Sequence, residues 1–229
     1  MNMVECMDVD KSYRQGKIEV KALKGITLSI QRGEFVALAG PSGSGKTTML
    51  NIIGGLDSVD SGRVVVDGKV LNDMNPSQLA DLRLHKIGFV FQAYNLIPVL
   101  SAIENVEFVM LLQGVPPRER KARAGAILDE VGLEGMHDRR PAELSGGQQQ
   151  RVAVARAIVS SPSIVLADEP TANLDSETGK GLLEMMREMN EKKGVTFVFS
   201  THDRMVMDHA RRIVHIRDGQ VADDQVKQH

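Results

Sequence analysis

Residues 40–48, Gly40-Pro41-Ser42-Gly43-Ser44-Gly45-Lys46-Thr47-Thr48, carry the densest chemistry in this sequence. The three glycines let the backbone wind tightly and turn several N–H groups inward, an arrangement that attracts anions. Lys46 is spaced to bridge the β- and γ-phosphates of a nucleotide, and the Thr47 hydroxyl to coordinate Mg²⁺. The stretch therefore implies a nucleoside triphosphate as ligand.

Other reactive residues lie at the ends of apolar runs. Asp168 and Glu169 close Ile164-Val165-Leu166-Ala167, where an α/β sheet binds its ligands. Asp168 is suited to hold Mg²⁺ through water, and Glu169 to polarise an attacking water. Gln92 ends Ile87–Phe91 and would reach Mg²⁺ or that water if its strand points at the nucleotide. His202 follows Val195–Ser200, where a strand end would bring it to a γ-phosphate. Ser145-Gly146-Gly147-Gln148 opens a helix and makes a second anion-accepting start, with Ser145 as cap. Tyr13, before the phosphate loop, reads either as a stacking platform for a purine or as an ordinary half-exposed strand aromatic.

Positioning these groups takes alternating strands and helices. The apolar run 34–39 predicts a strand before the loop, and a helix begins near Lys46. Period-two alternation predicts a strand over Met3–Val9. A polar turn at Arg14 to Lys17 follows, then strand-like segments over Ile18–Ala22 and Ile26–Ile30. Arg63–Val66 is a strand between turns, and Gln78–His85 a short helix. Helices are predicted over Ala102–Leu112, with an apolar stripe at Ile103, Val106, Val109 and Met110, and over Arg118–Val131. A turn spans Pro170–Asp175, Ser176–Thr178 caps the next helix, and Arg212–Ile216 with Gln220–Val221 form a closing hairpin whose last polar residues fray. The helical stretch interrupts one sheet and so reads as a lobe; its methionines and leucines are either core filler or a docking face.

Composition narrows the class. With 229 residues, 42% hydrophobic and 25% charged, the chain fits one large globular domain or two lobes sharing a core. A net charge of −2 gives no bulk attraction to nucleic acid or anionic lipid. The single cysteine, Cys6, excludes an internal disulfide and fits a reducing cytoplasmic setting. Neither a long apolar run nor a basic-then-apolar N-terminus is present, so the chain is not expected to cross a membrane by itself.

Taken together, the phosphate loop at 40–47, Gln92, the signature Leu144-Ser145-Gly146-Gly147-Gln148, Asp168-Glu169, Asn173-Leu174-Asp175 and His202 resemble the ATP-binding subunits of ABC transporters in type and order. The patterns 46–57, 87–92 and 145–153 are most similar to the lipoprotein-release, macrolide-efflux and cell-division branch. The resemblance implies an α/β fold of the P-loop NTPase type: a RecA-like, mostly parallel sheet with an antiparallel β subdomain and a helical subdomain. It implies one ATP-binding domain over 1–229, with a catalytic core at about 1–92 and 160–229 and a helical part at about 93–159.

In such proteins two copies bind head to tail. ATP and Mg²⁺ then sit between residues 40–48 of one copy and Ser145, Gly146, Gly147 and Gln148 of the other. The resemblance makes Glu169 the general base, His202 a γ-phosphate contact, Gln92 a Mg²⁺ and coupling residue, Tyr13 the adenine platform and Asp175 a link across the interface. It implies a separate integral membrane permease as partner, no nucleic-acid partner, and a peripheral place on the cytoplasmic face of the membrane. Soluble relatives acting on DNA insert a long coiled coil before the signature, and those acting on ribosomes carry two cassettes; neither feature is found here. An import ATPase and a non-hydrolysing adaptor are the remaining alternatives, and the Glu169, Gln92 and His202 set argues against the adaptor.

Overall fold

The computed structural model describes residues 1–16 and 18–227. Lys17, the expected end of the first turn, and residues 228–229 of the expected frayed tail lie outside the described residues. A four-stranded antiparallel sheet has the order β2-β1-β4-β5, with β1 Asn2–Gln15, β2 Ile18–Gln31, β4 Ser61–Val66 and β5 Lys69–Val70. A six-stranded sheet has the order β10-β9-β3-β8-β7-β6. Its strands are β3 Phe35–Ala39, β6 Ile87–Val90, β7 Ile164–Asp168, β8 Thr196–Thr201, β9 Arg212–Arg217 and β10 Gln220–Val226. All its neighbours pair in parallel except β9 with β10. The α/β class and mostly parallel sheet are those the motifs implied.

Strands β3 and β8 are buried along their whole length, as continuous apolar runs covered on both faces must be. Their residues alternate between two cores. Phe35, Phe197 and Phe199 pack toward the long helices; Val36, Leu38 and Val198 pack toward the antiparallel sheet. The two layers thus clamp the parallel sheet from both sides.

Helices α1 Lys46–Ile53, α2 Pro76–Lys86, α3 Ala102–Leu112, α4 Pro117–Glu130, α5 Gly146–Ile158, α6 Ser176–Lys193 and α7 Arg204–His209 complete the fold. Helices α3, α4 and α5 pack on one another, and the chain enters them from β6 and leaves into its neighbour β7.

Four local expectations are corrected. Ile18–Ala22 and Ile26–Ile30 form one strand, because register shifts against β1 absorb the break in alternation. Strand β1 runs on to Gln15, so the turn starts later than Arg14. Strand β6 stops at Val90, before Phe91. Helix α6 is capped by Asp175, which accepts from the N–H groups of Glu177 and Thr178 at 3.1 and 3.0 Å, leaving Ser176 as its first residue. Helix α7 escaped the sequence reading because six residues are too few to display a period.

Candidate functional site

Parallel register brings the reactive strand ends to one edge. Ala39 pairs with Thr201, Asp168 with Ser200, and Val90 with Ala167, so the residues that follow each strand emerge side by side. The cleft there is lined by Tyr13, Ser42, Gly43, Gly45, Lys46, Thr47, Thr48, Gln92, Asp168, Glu169 and His202. Gly40 and Pro41 lead into it, and their carbonyls accept from Lys46 Nζ at 2.8 and 2.9 Å.

Glycine is required at 45 on two counts. Its φ is +106°, and a Cβ there would come within 2.6 Å of the Ala22 carbonyl oxygen. The loop therefore presses directly on β2 and aims the start of α1 into the cleft. Helices α1 and α4 have no side-chain cap, whereas α2, α3, α5, α6 and α7 each have one; of the two uncapped helices, it is α1 that starts in the cleft. The α1 start is thus open. Its first-turn N–H groups and positive dipole end are left for an anion. Beneath them the buried Ser44 Oγ has no hydrogen-bond partner in the protein. An open helix start, a buried lysine and an orphaned hydroxyl fit a polyphosphate.

Thr47 Oγ1 donates to Asp168 Oδ1 at 3.1 Å, although the two are far apart in sequence. With the Gln92 side chain exposed on the same cleft, these uncharged and anionic oxygens suit a hard cation such as Mg²⁺. Glu169 sits behind them in a left-handed backbone, φ +44°, tied by its N–H to the Ser200 carbonyl at 2.9 Å. Its Oε1 lies 2.6 Å from His202 Nδ1, and its Oε2 accepts from Thr201 Oγ1 at 3.2 Å. The carboxylate is largely covered while the imidazole stands in the open, 65% exposed, within reach of whatever enters.

Ser145, Gly147 and Gln148 line a different concavity, together with Arg151, Glu177 and Thr178. Ser145 caps α5, accepting from the Gln148 N–H at 3.3 Å, while the Gln148 side chain accepts from the Ser145 N–H at 2.9 Å. Gly147 allows α5 to touch α6: a Cβ there would fall 2.3 Å from Thr178 Cγ2. Gly146 lies beside the Tyr94 hydroxyl and the turn at Asn173. Asp175 is exposed next to this surface, and hydrogen bonds from the Thr178 hydroxyl and N–H hold its carboxyl below the usual range. Thus the fold assembles Tyr13 and residues 40–48 with Gln92, Asp168, Glu169 and His202, and keeps Ser145–Gln148 and Asp175 apart from them.

Several participants carry no motif. Val20, Lys21 and Ala22 of β2 form the cleft wall opposite the loop, a role fixed only by strand pairing. The Asn173 side chain donates to the Gln92 carbonyl at 2.9 Å, tying the turn before Asp175 to the glutamine. Gln150, fully buried on α5, donates to the Pro170 carbonyl at 2.7 Å, so the signature helix grips the residue after Glu169. A glutamine in a helix gives no sequence signal of such a contact.

The profile of the family described as "ABC transporter" matches residues 23–172. A macrolide export ATP-binding/permease protein MacB of Syntrophobacter fumaroxidans is 50% identical over 221 residues, covering 96% of this chain but 31% of that protein. The chain spans about a third of the length of the MacB relatives it matches. An uncharacterised ABC transporter ATP-binding protein of Thermotoga maritima is 48% identical, covering 96% of this chain and 93% of that one. A dimeric, post-hydrolysis structure of the ATP-binding cassette MJ0796, bound to ADP and Pi, superposes with a TM-score of 0.92 at 44% identity over 99% of this chain and 100% of that one.

Proposed function

This chain belongs to the ABC transporter family, and we propose that it is the ATP-hydrolysing subunit that drives a separate membrane permease. The observation that carries this reading is the division of the site. One face bears a phosphate loop with base and cation ligands, and another bears an outward-facing signature helix start that the first face lacks. Two copies placed head to tail bring Ser145–Gln148 of each against the phosphate loop of the other, which completes two sites. The dimeric, ADP- and Pi-bound state of the MJ0796 cassette supports that arrangement.

In this reading Lys46 leaves the Gly40 and Pro41 carbonyls for the β- and γ-phosphates, and the first-turn N–H groups of α1 hold the remaining phosphate oxygens. Thr47, Asp168 and Gln92 hold Mg²⁺, which would neutralise charge on the phosphates when bound. Glu169 accepts a proton from the water whose oxygen attacks the γ-phosphorus as the bond to the β-phosphate oxygen breaks, giving ADP and inorganic phosphate. His202, already seated on Glu169, turns its exposed edge to the γ-phosphate. Asp175 caps α6 at the edge of the signature surface and links the two copies.

At Phe91, the residue before Gln92, lies an apolar groove of 640 Å³ lined also by Leu56, Leu84, Phe89, Val109 and Leu112, among others. We propose it as the permease dock, with Gln92 between dock and cation. Among the described residues no helix is long and apolar enough to cross a membrane, so the permease would hold the chain peripherally on the cytoplasmic face. The MacB relatives, named as macrolide exporters, favour an export-type partner over an importer.

Glu169→Gln removes the base and keeps the shape. It should bind ATP, lower kcat at least about a hundredfold, and run as an ATP-dependent dimer on gel filtration. Wild-type turnover in this variant would refute the assignment of Glu169.

A further inference from the structure

We infer that Asp57 and Lys11 are positioning residues that fix Tyr13 so that one face of its ring meets the purine base. The inference rests on the proposed ATP-hydrolysing function and on the adenine-platform role that the family resemblance implies for Tyr13. Tyr13 is 39% exposed, and an aromatic at that exposure on a strand would ordinarily swing between rotamers. Here it is held at its far end. The phenol O–H donates to Asp57 Oδ2 at 2.6 Å, and the other oxygen of that carboxylate accepts from Lys11 Nζ at 2.9 Å. Lys11 is only 7% exposed; its ammonium also donates to the Ser58 carbonyl at 2.7 Å and lies 4.0 Å from Asp60 Oδ1. The same ammonium stands 5.2 Å from the centroid of the Tyr13 ring.

The buried ammonium lies over one face of the ring. The ring lines the cleft with Val20, Ala22 and the phosphate loop, so the other face is the one open to a base. Because the phenol hydrogen is committed to Asp57, Tyr13 offers the base a π-face and no hydrogen-bond donor. Stacking of that kind tolerates any purine, so the platform should not distinguish ATP from GTP. Asp57 also follows closely on α1, whose first turn faces the phosphates, and its N–H reaches the Asn51 carbonyl within that helix at 3.3 Å. One short helix thereby sets the distance between base and phosphate contacts. Burial, and then the hydrogen bond to the Asp57 carboxylate, hold the Tyr13 phenol above its ordinary value.

Contacts to the base are remote from the reacting phosphorus, so they should act on nucleotide affinity. Calorimetry on the full chain should find that Tyr13→Ala weakens ATP and GTP alike by about tenfold, the loss of one stacking contact. Asp57→Ala should weaken both by about threefold to tenfold, and Asp57→Asn, which keeps an acceptor, by less. The double variant Tyr13→Ala, Asp57→Ala should be no weaker than Tyr13→Ala alone. Additive losses would overturn the positioning role. Unchanged affinity in Tyr13→Ala would instead overturn the platform reading itself.

A spectroscopic measurement stands apart from binding. The chain has no tryptophan and two tyrosines, so in a Tyr94→Phe background the phenolate absorbance reports Tyr13 alone. Its titration midpoint should fall when Asp57 becomes Ala, and an unmoved midpoint would show that the contact does not exist in solution. Should Asp57→Ala fail to fold, Tyr13→Phe removes only the anchoring hydroxyl. It should still weaken both nucleotides about threefold, and wild-type affinity in it would overturn the anchor.

Discussion

At Glu169 the left-handed backbone, the Ser200 contact and the His202 ring together aim one carboxylate at the mouth of the cleft. A non-glycine residue with positive φ is held there only by surrounding contacts. Buried Cys6, its thiol pushed up to about 12 by desolvation, plays no part in the chemistry. Pairing decides other charges. Arg212 donates to both oxygens of Asp224, from Nε at 2.8 Å and Nη2 at 2.7 Å, and its Nη1 donates to Glu34 Oε2 at 3.0 Å. The Arg212 hydrogen bonds lower the Asp224 carboxyl below its ordinary 3.8. A depressed carboxylate stabilises the fold above its unfolded value and loses that contribution as pH falls through the folded one. Asp224→Asn should therefore cost about 1 kcal/mol or less at pH 7, since the pair is partly screened by solvent. The gap to wild type should narrow as pH falls below the ordinary carboxylate value and Asp224 takes up its proton, as read by urea denaturation across pH.

Elements act through what their faces meet. Strand register, not any single residue, aligns the ends of β3, β6, β7 and β8, and a one-residue slip would carry Asp168 or His202 away from Thr47. Helix α3 shows how one apolar stripe divides between two jobs. Val106 is fully buried in the core, whereas Val109 is half-buried and lines the groove at Phe91. Val106→Glu should destabilise by about 3 kcal/mol or more, because a carboxylate would lie unpaired in the interior. Val109→Glu should keep the melting temperature and ATPase activity and lose co-purification with permease-containing membranes. Retained membrane association in Val109→Glu would remove the groove from the docking proposal. Helix α6 packs its methionines inward: Met185, Met186 and Met189 are buried.

The proposed composite site belongs to the scale of the whole molecule. Its two halves, the cleft at residues 40–48 and the concavity at Ser145, open on different surfaces of one chain. A Ser145→Arg subunit retains its phosphate loop, and a Lys46→Ala subunit retains its signature. Each alone should be inactive. Mixed one to one, half the dimers carry one intact site out of two, so about a quarter of wild-type ATPase activity should return. No recovery on mixing would place both halves of the site within one chain.

The sequence alone determined the ligand class and the order of parts. Gly40 to Thr48, Ser145 to Gln148 and the acids after Ala167 are local patterns, and local backbone rules suffice to read them as a loop, a cap and a strand end. The helix over Ala102–Leu112 was legible to the residue because its apolar stripe repeats with the helical period. Tertiary structure decided what those rules cannot reach. It continued β2 through a bulge, gave the cap of α6 to Asp175, and turned the signature away from the phosphate loop. It also spent the Tyr13 hydroxyl on Asp57, a partner in another element. These depend on strand order and register, which are pairings between distant segments, and propensity and spacing along one chain carry no term for them.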